Sequence, residues 1–255
     1  MQIKVIADVH GDLQTVLDEA ATCDVLLLLG DLINVIDYSN AGGILAEVYG
    51  EDAVRKWSAL RAEGKFDESR AVLREISAGR EDELRGLFFK KIDEETEAFC
   101  TKIPENVIVT YGNVDVPDLI RKYLPDSVRF VDAEVLEIDG ISFGFVGGGL
   151  PKVGIPGEVP LDVYQQKVSA LGGPVDVLCA HVPPAVEDLT FDVIADYHEP
   201  GSEALSAYLA EHEPAWMYFG HVHQPRATDM QLGATRAVNV GALYRSTGKA
   251  WEHPS

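Results

Sequence analysis

The chain has 255 residues, 46% of them hydrophobic, and a net charge of −21 at pH 7. Its length suits one large α/β domain or two small ones, and it has no apolar stretch of about 18 residues that would predict a membrane helix. The acidic balance disfavours nucleic acid and anionic membranes as partners, because phosphate backbones are bound through lysine and arginine. We therefore expect neither a membrane nor a nucleic-acid partner.

The opening segment and the cysteines predict a cytoplasmic protein. The first residues, MQIKVIADVHGD, enter a strand directly and show neither the apolar core nor the cleavage site of a signal peptide. Cys23, Cys100 and Cys179 are odd in number and far apart, which is typical of reduced thiols and not of a disulfide framework or a zinc knuckle.

The first elements predict a β-α-β unit. Residues 3–8 form an apolar run that ends at Asp8. Helical spacing follows over 12–20, and a second buried run, 24–31, ends at Asp31. Such a crossover pairs the two strands in parallel, so their carboxyl ends meet at one sheet edge, where open α/β folds bind their ligands.

Residues 39–101 differ in composition from their surroundings. They are rich in Glu, Arg, Lys and Ala, and their apolar residues recur at helical intervals. Breaks near Gly50, Gly64 and Gly79 predict three or four helices. We interpret the segment as a helical cap inserted into a single domain over 1–255, with a lid and a dimer surface as its alternative uses.

The remaining chain alternates strands with helices and turns. Strands are predicted over 106–113, 128–131, 134–138, 141–146, 174–181 and 215–223. Helices are predicted near 162–171 and over 202–212, the second of them capped by Ser202. The tail, 225–245, alternates polar and apolar residues, which predicts a β-meander.

Five of the apolar runs are followed by residue types that bind metals. In chain order they are Asp8-Val9-His10, Gly30-Asp31, Gly112-Asn113, His181 and Gly220-His221-Val222-His223. Residues on either side of one valine point the same way along an extended strand, and glycine lets the backbone turn sharply. Oxygen and imidazole donors at one sheet edge fit a two-metal hydrolytic site better than a structural zinc site.

This ordered series resembles the calcineurin-like metallophosphoesterase superfamily, over the whole chain apart from 39–101. The resemblance implies an α/β fold, a two-sheet β-sandwich flanked by helices. It also implies two divalent metal ions, Mn, Fe, Zn or Ni, and a hydroxide between them that attacks phosphorus. The implied ligands are Asp8, His10, Asp31 and His223 for the first ion, and Asp31, Asn113, His181 and His221 for the second. Asp31, Asn113 and His181 are the implied catalytic residues.

One departure from the family pattern narrows the expected reaction. Many members have a histidine after the Gly-Asn pair, acting as a general acid or holding the phosphate, and an aspartate three residues after the bridging one. Here Val114 and Asn34 occupy those places. Gly-Asn-x-Asp with an apolar x resembles a smaller bacterial and archaeal phosphodiesterase-like branch. We therefore expect a phosphodiesterase that acts on a small phosphorylated molecule.

Two alternatives stay open. Among enzymes, the alternative is a phosphomonoesterase or a Ser/Thr protein phosphatase, although the absent histidine argues against the phosphatase. From another class comes a non-catalytic scaffold of the same fold, although every ligand position is filled. The segment 39–101 could also support a homo-oligomer.

Other residues have weaker claims to the site. Asp12 is expected to cap the first helix. Asp115 is equally consistent with a contact that orients a ligand imidazole and with a surface turn. The run 147–149 fits a strand-terminal turn better than a substrate contact. Further candidates for phosphate or pocket contacts are Lys152, Arg245, Tyr38 and His198.

Overall fold

The computed structural model describes residues 1–36, 41–152 and 154–254. Within these ranges the strands are β1 (Ile3–Ile6), β2 (Val25–Leu29), β3 (Val107–Thr110), β4 (Arg129–Phe130), β5 (Glu134–Ile138), β6 (Ile141–Val146), β7 (Val177–Ala180), β8 (Phe191–Asp192), β9 (Tyr197–His198), β10 (Trp216–Phe219), β11 (Asp229–Leu232), β12 (Thr235–Asn239) and β13 (Trp251–Glu252). The helices are α1 (Leu13–Ala20), α2 (Ile44–Tyr49), α3 (Glu51–Ala62), α4 (Phe66–Ser77), α5 (Glu81–Cys100), α6 (Pro117–Tyr123), α7 (Leu161–Ser169), α8 (Glu187–Thr190), α9 (Glu203–His212) and α10 (Val240–Thr247). None of these helices is long and apolar enough to cross a membrane.

Two sheets rich in parallel strands form the framework. Their strand orders are β13-β1-β2-β3-β4 and β11-β12-β10-β7-β6-β5, and β8 and β9 form a separate hairpin. Strands β1 to β4 are parallel, as are β6, β7, β10 and β12, while β13, β5 and β11 pair antiparallel at the edges. The predicted fold, two mixed sheets flanked by helices, is confirmed.

The strand β2 explains how the first sheet is buried on both faces. Its side chains alternate, so Leu26 and Leu28 pack with the helices outside the sheet, whereas Leu27 and Leu29 face the second sheet. All four leucines are fully buried. An unbroken leucine run is therefore what a central parallel strand between two apolar layers requires.

The helical segment that follows β2 has the predicted breaks. Its four described helices, α2 to α5, are separated at Gly50, Gly64 and Gly79. Residues 37–40, where the segment begins, lie outside the described ranges. A cluster of apolar side chains packs α2 and α5 onto the loops that follow β2 and β3, through Ile44 and Ile92.

The predicted β-meander at 225–245 is only partly correct. The strands β11 and β12 are present, but residues 240–247 form α10 instead of a further strand. Asn239 caps this helix by accepting a hydrogen bond from the Ala242 N–H (2.8 Å), and Gly248 ends it in the left-handed region at φ 68°. A cap residue and a terminal glycine were thus visible in the sequence, but the polar-apolar alternation obscured them.

Candidate metal centre

The seven predicted metal ligands all lie in loops that follow the carboxyl ends of parallel strands. Asp8 and His10 follow β1, Asp31 follows β2, Asn113 follows β3, His181 follows β7, and His221 and His223 follow β10. The predicted strands over 106–113, 174–181 and 215–223 were therefore too long at their ends, because β3, β7 and β10 stop before the ligands. The first sheet and the second each deliver part of the set.

The ligand loops turn abruptly instead of continuing the strands. Asp8, His10, Asp31 and His221 have φ angles of 56°, 43°, 53° and 70°, in the left-handed region that non-glycine residues rarely adopt. The extended geometry expected around Val9 is therefore wrong. The side chains converge because each loop reverses at its ligand, an arrangement that a sequence pattern of alternating residues does not reveal.

The first group of ligands consists of Asp8, His10, Asp31 and His223. One ligand atom from each lies within 4.8 Å of the other three. The Nε2 atoms of His10 and His223 are 3.0 Å apart, and Asp31 Oδ2 is 4.0 Å from His10 Nε2. The two carboxyl groups are buried and the two imidazoles are half-buried, so the carboxylates form the floor and the imidazoles the rim of the group.

The second group consists of Asp31, Asn113, His181 and His221. Asn113 Oδ1 lies 2.8 Å from His181 Nε2 and 2.8 Å from His221 Nδ1. Asp31 Oδ1 is 3.4 Å from His181 Nε2. Asp31 therefore directs one oxygen toward each group, as a residue shared between two ions would.

Burial sets the protonation of the ligands. It raises the pKa of Asp8, and it raises the pKa of Asp31 to about 6. Burial also lowers the pKa of His181 to about 3 and holds the pKa of His223 well below its usual range. Neutral imidazoles beside buried carboxylates are the form in which these side chains bind a divalent cation, so the residues present fit a metal site.

His221 differs from the other imidazoles because a carboxylate lies behind it. Burial disfavours its charged form, but Glu199, with Asp31 and Asp8, outweighs burial and raises the pKa of His221. Glu199 was not predicted from the sequence. It lies at the end of the short β8–β9 hairpin, and no spacing rule connects it to His221, which is more than twenty residues further along the chain.

Asp115 is buried beneath the two ligand loops. Its Oδ2 accepts hydrogen bonds from the N–H groups of Asp31 (2.8 Å) and Gly112 (2.7 Å), and its Oδ1 accepts one from Leu32 (2.9 Å). Burial, followed by the charge of Asp31, raises its pKa to about 7. Neither sequence interpretation of Asp115 is right, since it contacts no ligand imidazole and is not at the surface. It holds the backbones of the β2 and β3 loops together.

Two glycines are required by close approach to ligand carboxylates. A Cβ atom at Gly112 would lie 2.1 Å from Asp31 Oδ1, and one at Gly241 would lie 1.8 Å from Asp8 Oδ2. A sharp turn was predicted at both Gly30 and Gly112. Gly30 has a positive φ of 94°, whereas Gly112 is not among the glycines with positive φ. Gly241 was missed, because its place in the predicted meander gave no reason to bring it to Asp8.

The weaker candidates have separate outcomes. Asp12 caps α1 as predicted, accepting from the Thr15 N–H at 3.1 Å. The run 147–149 follows β6 as a turn.

The candidates for phosphate or pocket contacts lie in different places. Arg245 lies near enough to His223 to help lower the pKa of that imidazole, whereas Lys152 is bound to Glu199. His198 is exposed, and Tyr38 lies outside the described residues.

Val114 occupies an apolar cluster between the β3 loop and the helical segment. It is 7% exposed and packs with Ile33, Ile44 and Ile92. We expect Val114→His to lower the free energy of unfolding by about 2–3 kcal/mol, because a polar ring would be buried among apolar groups. The phosphoesterase activity that the sequence predicts should be no higher in Val114→His than in the wild type.

Urea unfolding of the metal-free variant measures this effect. Val135→His is the matched control, because Val135 is 39% exposed and its replacement should change stability by no more than about 0.5 kcal/mol. A gain of activity in Val114→His of more than tenfold, or no loss of stability, would contradict this account of Val114.

Comparison with known proteins identifies the family. The model of the calcineurin-like phosphoesterase family matches residues 1–225, and the chain belongs to this family. The family is typically dependent on two metal ions and hydrolyses phosphoric esters, although some of its members are not catalytic. No curated protein sequence shows a significant match.

One solved structure supports the fold at low sequence identity, and two others are less similar. One crystal structure superposes with a TM-score of 0.59 and 14% identity, covering 99% of this chain and 98% of the other. TT1561 of Thermus thermophilus gives a TM-score of 0.49 and 16% identity over 99% and 97% of the chains. The purple acid phosphatase PPD1 of yellow lupin gives 0.42 and 15% identity over 100% of this chain and 46% of that one. At 14% identity the first of these similarities concerns the fold alone.

Proposed function

We propose that this chain is a metal-dependent phosphodiesterase that acts on a small phosphorylated molecule. The observation that carries the proposal is the shared position of Asp31, whose two oxygens lie 4.0 Å from His10 Nε2 and 3.4 Å from His181 Nε2. Two donor groups joined by one carboxylate provide places for two divalent ions. When bound, such ions supply an activated water and neutralise the charge of a phosphate group.

The residues of the chain have distinct tasks in this proposal. Asp8, His10 and His223 hold the first ion, Asn113, His181 and His221 hold the second, and Asp31 contributes to both. The backbone N–H of His221 fixes Asp8 by donating to both of its carboxyl oxygens, at 3.1 and 2.9 Å. Burial raises the pKa of Asp8 and Asp31, so cations beside these two carboxylates would stabilise their charged forms.

The preference for diesters follows from the residue after Asn113. Val114 offers no proton and is packed against the helical segment, so a leaving group has no imidazole acid at this place. Monoesters with poor leaving groups depend most on such an acid. The net charge of −21 is the reason that we propose a small substrate and not a nucleic acid.

Hydrolysis of chromogenic substrates tests the proposal. With Mn²⁺ added, we expect bis(4-nitrophenyl) phosphate to be cleaved faster than an alkyl phosphate monoester, and EDTA to abolish the activity. Faster cleavage of the alkyl monoester would contradict the diester preference and favour a phosphomonoesterase. No bound metal and no turnover with Mn²⁺ would favour the non-catalytic scaffold.

A further inference from the structure

Glu199 is a nearly buried carboxylate whose orientation is fixed by two neighbours. Its side chain is 15% exposed. Lys152 Nζ lies 2.7 Å from its Oε1 and 2.6 Å from its Oε2, and the Tyr197 hydroxyl donates to Oε1 at 2.6 Å. Lys152 also donates to the Tyr197 hydroxyl at 2.8 Å. The three side chains form a connected network, which leaves the carboxylate little freedom to turn.

The same carboxylate contacts the candidate metal centre. Glu199 Oε2 is 3.5 Å from Nε2 of His221, while Nδ1 of that ring is 2.8 Å from Asn113 Oδ1. The imidazole therefore lies between the carboxylate and the second ligand group, with one ring nitrogen toward each. Carboxylates that accept from the far nitrogen of a metal-binding imidazole fix its tautomer and its orientation.

We infer that Glu199 is a positioning residue for the second metal ion, and that Lys152 and Tyr197 hold it in place. Glu199 keeps the proton of His221 on Nε2, so that Nδ1 presents its lone pair to the ion. Lys152, considered from the sequence as a phosphate contact, acts here through Glu199 instead. This inference deepens the proposed function and rests on it.

The replacement Glu199→Gln removes the charge while keeping the shape of the side chain. We expect it to weaken binding of the second ion by about 10- to 100-fold and to leave the first ion nearly unaffected. Activity should fall at limiting Mn²⁺ and recover toward the wild-type value as Mn²⁺ is raised. Calorimetric titration of the metal-free full-length chain with Mn²⁺ resolves the two binding steps directly.

Glu19→Gln is the matched control. Glu19 is also paired with a lysine, Lys4, at 2.6 Å, and its side chain is 13% exposed, but it lies on α1 away from the ligand loops. Its replacement should leave both Mn²⁺ steps unchanged. Should Glu199→Gln fail to fold, Tyr197→Phe provides a milder test, with an expected weakening of the second step of roughly threefold or more from the loss of one hydrogen bond to a charged group.

The outcomes separate this inference from the proposed function. A wild-type chain that binds two Mn²⁺ ions, together with a selective loss in Glu199→Gln, supports both. Two ions in the wild type with both steps unchanged in Glu199→Gln, or in Tyr197→Phe if the first variant does not fold, overturn the inference alone. A wild-type chain that binds fewer than two ions overturns the proposed function and the inference together.

Discussion

Asp31→Asn should reduce hydrolysis by at least about a thousandfold, equivalent to about 4 kcal/mol of transition-state stabilisation. Asp31 is the residue that faces both ligand groups, and an asparagine offers one oxygen and no charge in its place. The variant should also lose the rise in melting temperature that Mn²⁺ gives the wild type. Initial rates with bis(4-nitrophenyl) phosphate and thermal unfolding with and without Mn²⁺ measure the two effects.

In the absence of metal ions, Asp31→Asn should not lower the stability of the protein. Burial raises the pKa of Asp31 to about 6, above the value of an unfolded aspartate, so its contribution to stability is lost as the pH rises through about 6. At pH 7.5 the metal-free wild type therefore contains an unfavourable buried charge, which asparagine removes. We expect a melting temperature equal to or higher than that of the metal-free wild type, which separates loss of metal binding from misfolding.

Asp12→Asn is the matched control for this substitution. Asp12 belongs to the same Asp-Val-His-Gly-Asp segment, but it caps α1 and is not among the proposed ligands. Asparagine caps helices about as well as aspartate, so activity should be nearly unchanged, and the free energy of unfolding should fall by no more than about 1 kcal/mol because Oδ2 of Asp12 also accepts from the Tyr244 hydroxyl. If Asp31→Asn kept activity within about tenfold of the wild type, a carboxylate shared by two ions would be the wrong description of the site.

Asp115→Ala should lower the free energy of unfolding by about 3–5 kcal/mol. Its carboxylate is buried and accepts from three backbone N–H groups, those of Asp31, Leu32 and Gly112. Alanine would leave all three donors buried without this acceptor, and the cost of each is about 1–3 kcal/mol before the loops relax. Because these loops carry Asp31 and Asn113, binding of Mn²⁺ should weaken as well.

Urea unfolding in EDTA measures the effect on stability, and Asp118→Ala serves as the control. The Asp118 side chain is 92% exposed, three residues further along the chain, and its loss should cost less than about 1 kcal/mol. Asp115→Asn, which retains one acceptor oxygen, should fall between the two. A loss in Asp115→Ala no larger than that in Asp118→Ala would show that the loops hold together without the carboxylate.

The convergence of the candidate ligands could be predicted from the sequence because each of these residues follows an apolar strand. Parallel pairing brings strand ends to one edge whatever the details of the loops, so Asp8, Asp31 and Asn113 were placed together by topology alone. The bends at Gly50 and Gly79 were equally local, since helical periodicity stops there. These features depend on neighbours in the chain, and for that reason a single sequence contains them.

The supporting residues could not be predicted because their roles are contacts between distant segments. Asp115 bonds to backbone groups more than eighty residues earlier in the chain, at Asp31 and Leu32. Glu199 meets His221 through a hairpin of two short strands, and Gly241 approaches Asp8 from the far end of the sequence. Residue type and spacing do not encode such contacts, because they join segments that are distant in the chain.

Val114 is one of the residues that join the helical segment to the candidate metal centre. The position after Asn113 contributes to the apolar cluster that packs α2 and α5 onto the β3 loop. The valine at this place contributes to packing, and it also leaves the site without an imidazole acid. Restoring a histidine at this one position would disturb the contact between the segment and the site.

Anomalous diffraction from crystals grown with Mn²⁺ tests the central claim, that Asp31 joins two metal sites, most directly. We predict two manganese peaks about 3.5–4 Å apart, with Asp31 between them. One should lie among Asp8, His10 and His223, and the other among Asn113, His181 and His221. A single peak, or manganese bound away from these side chains, would contradict the two-metal account.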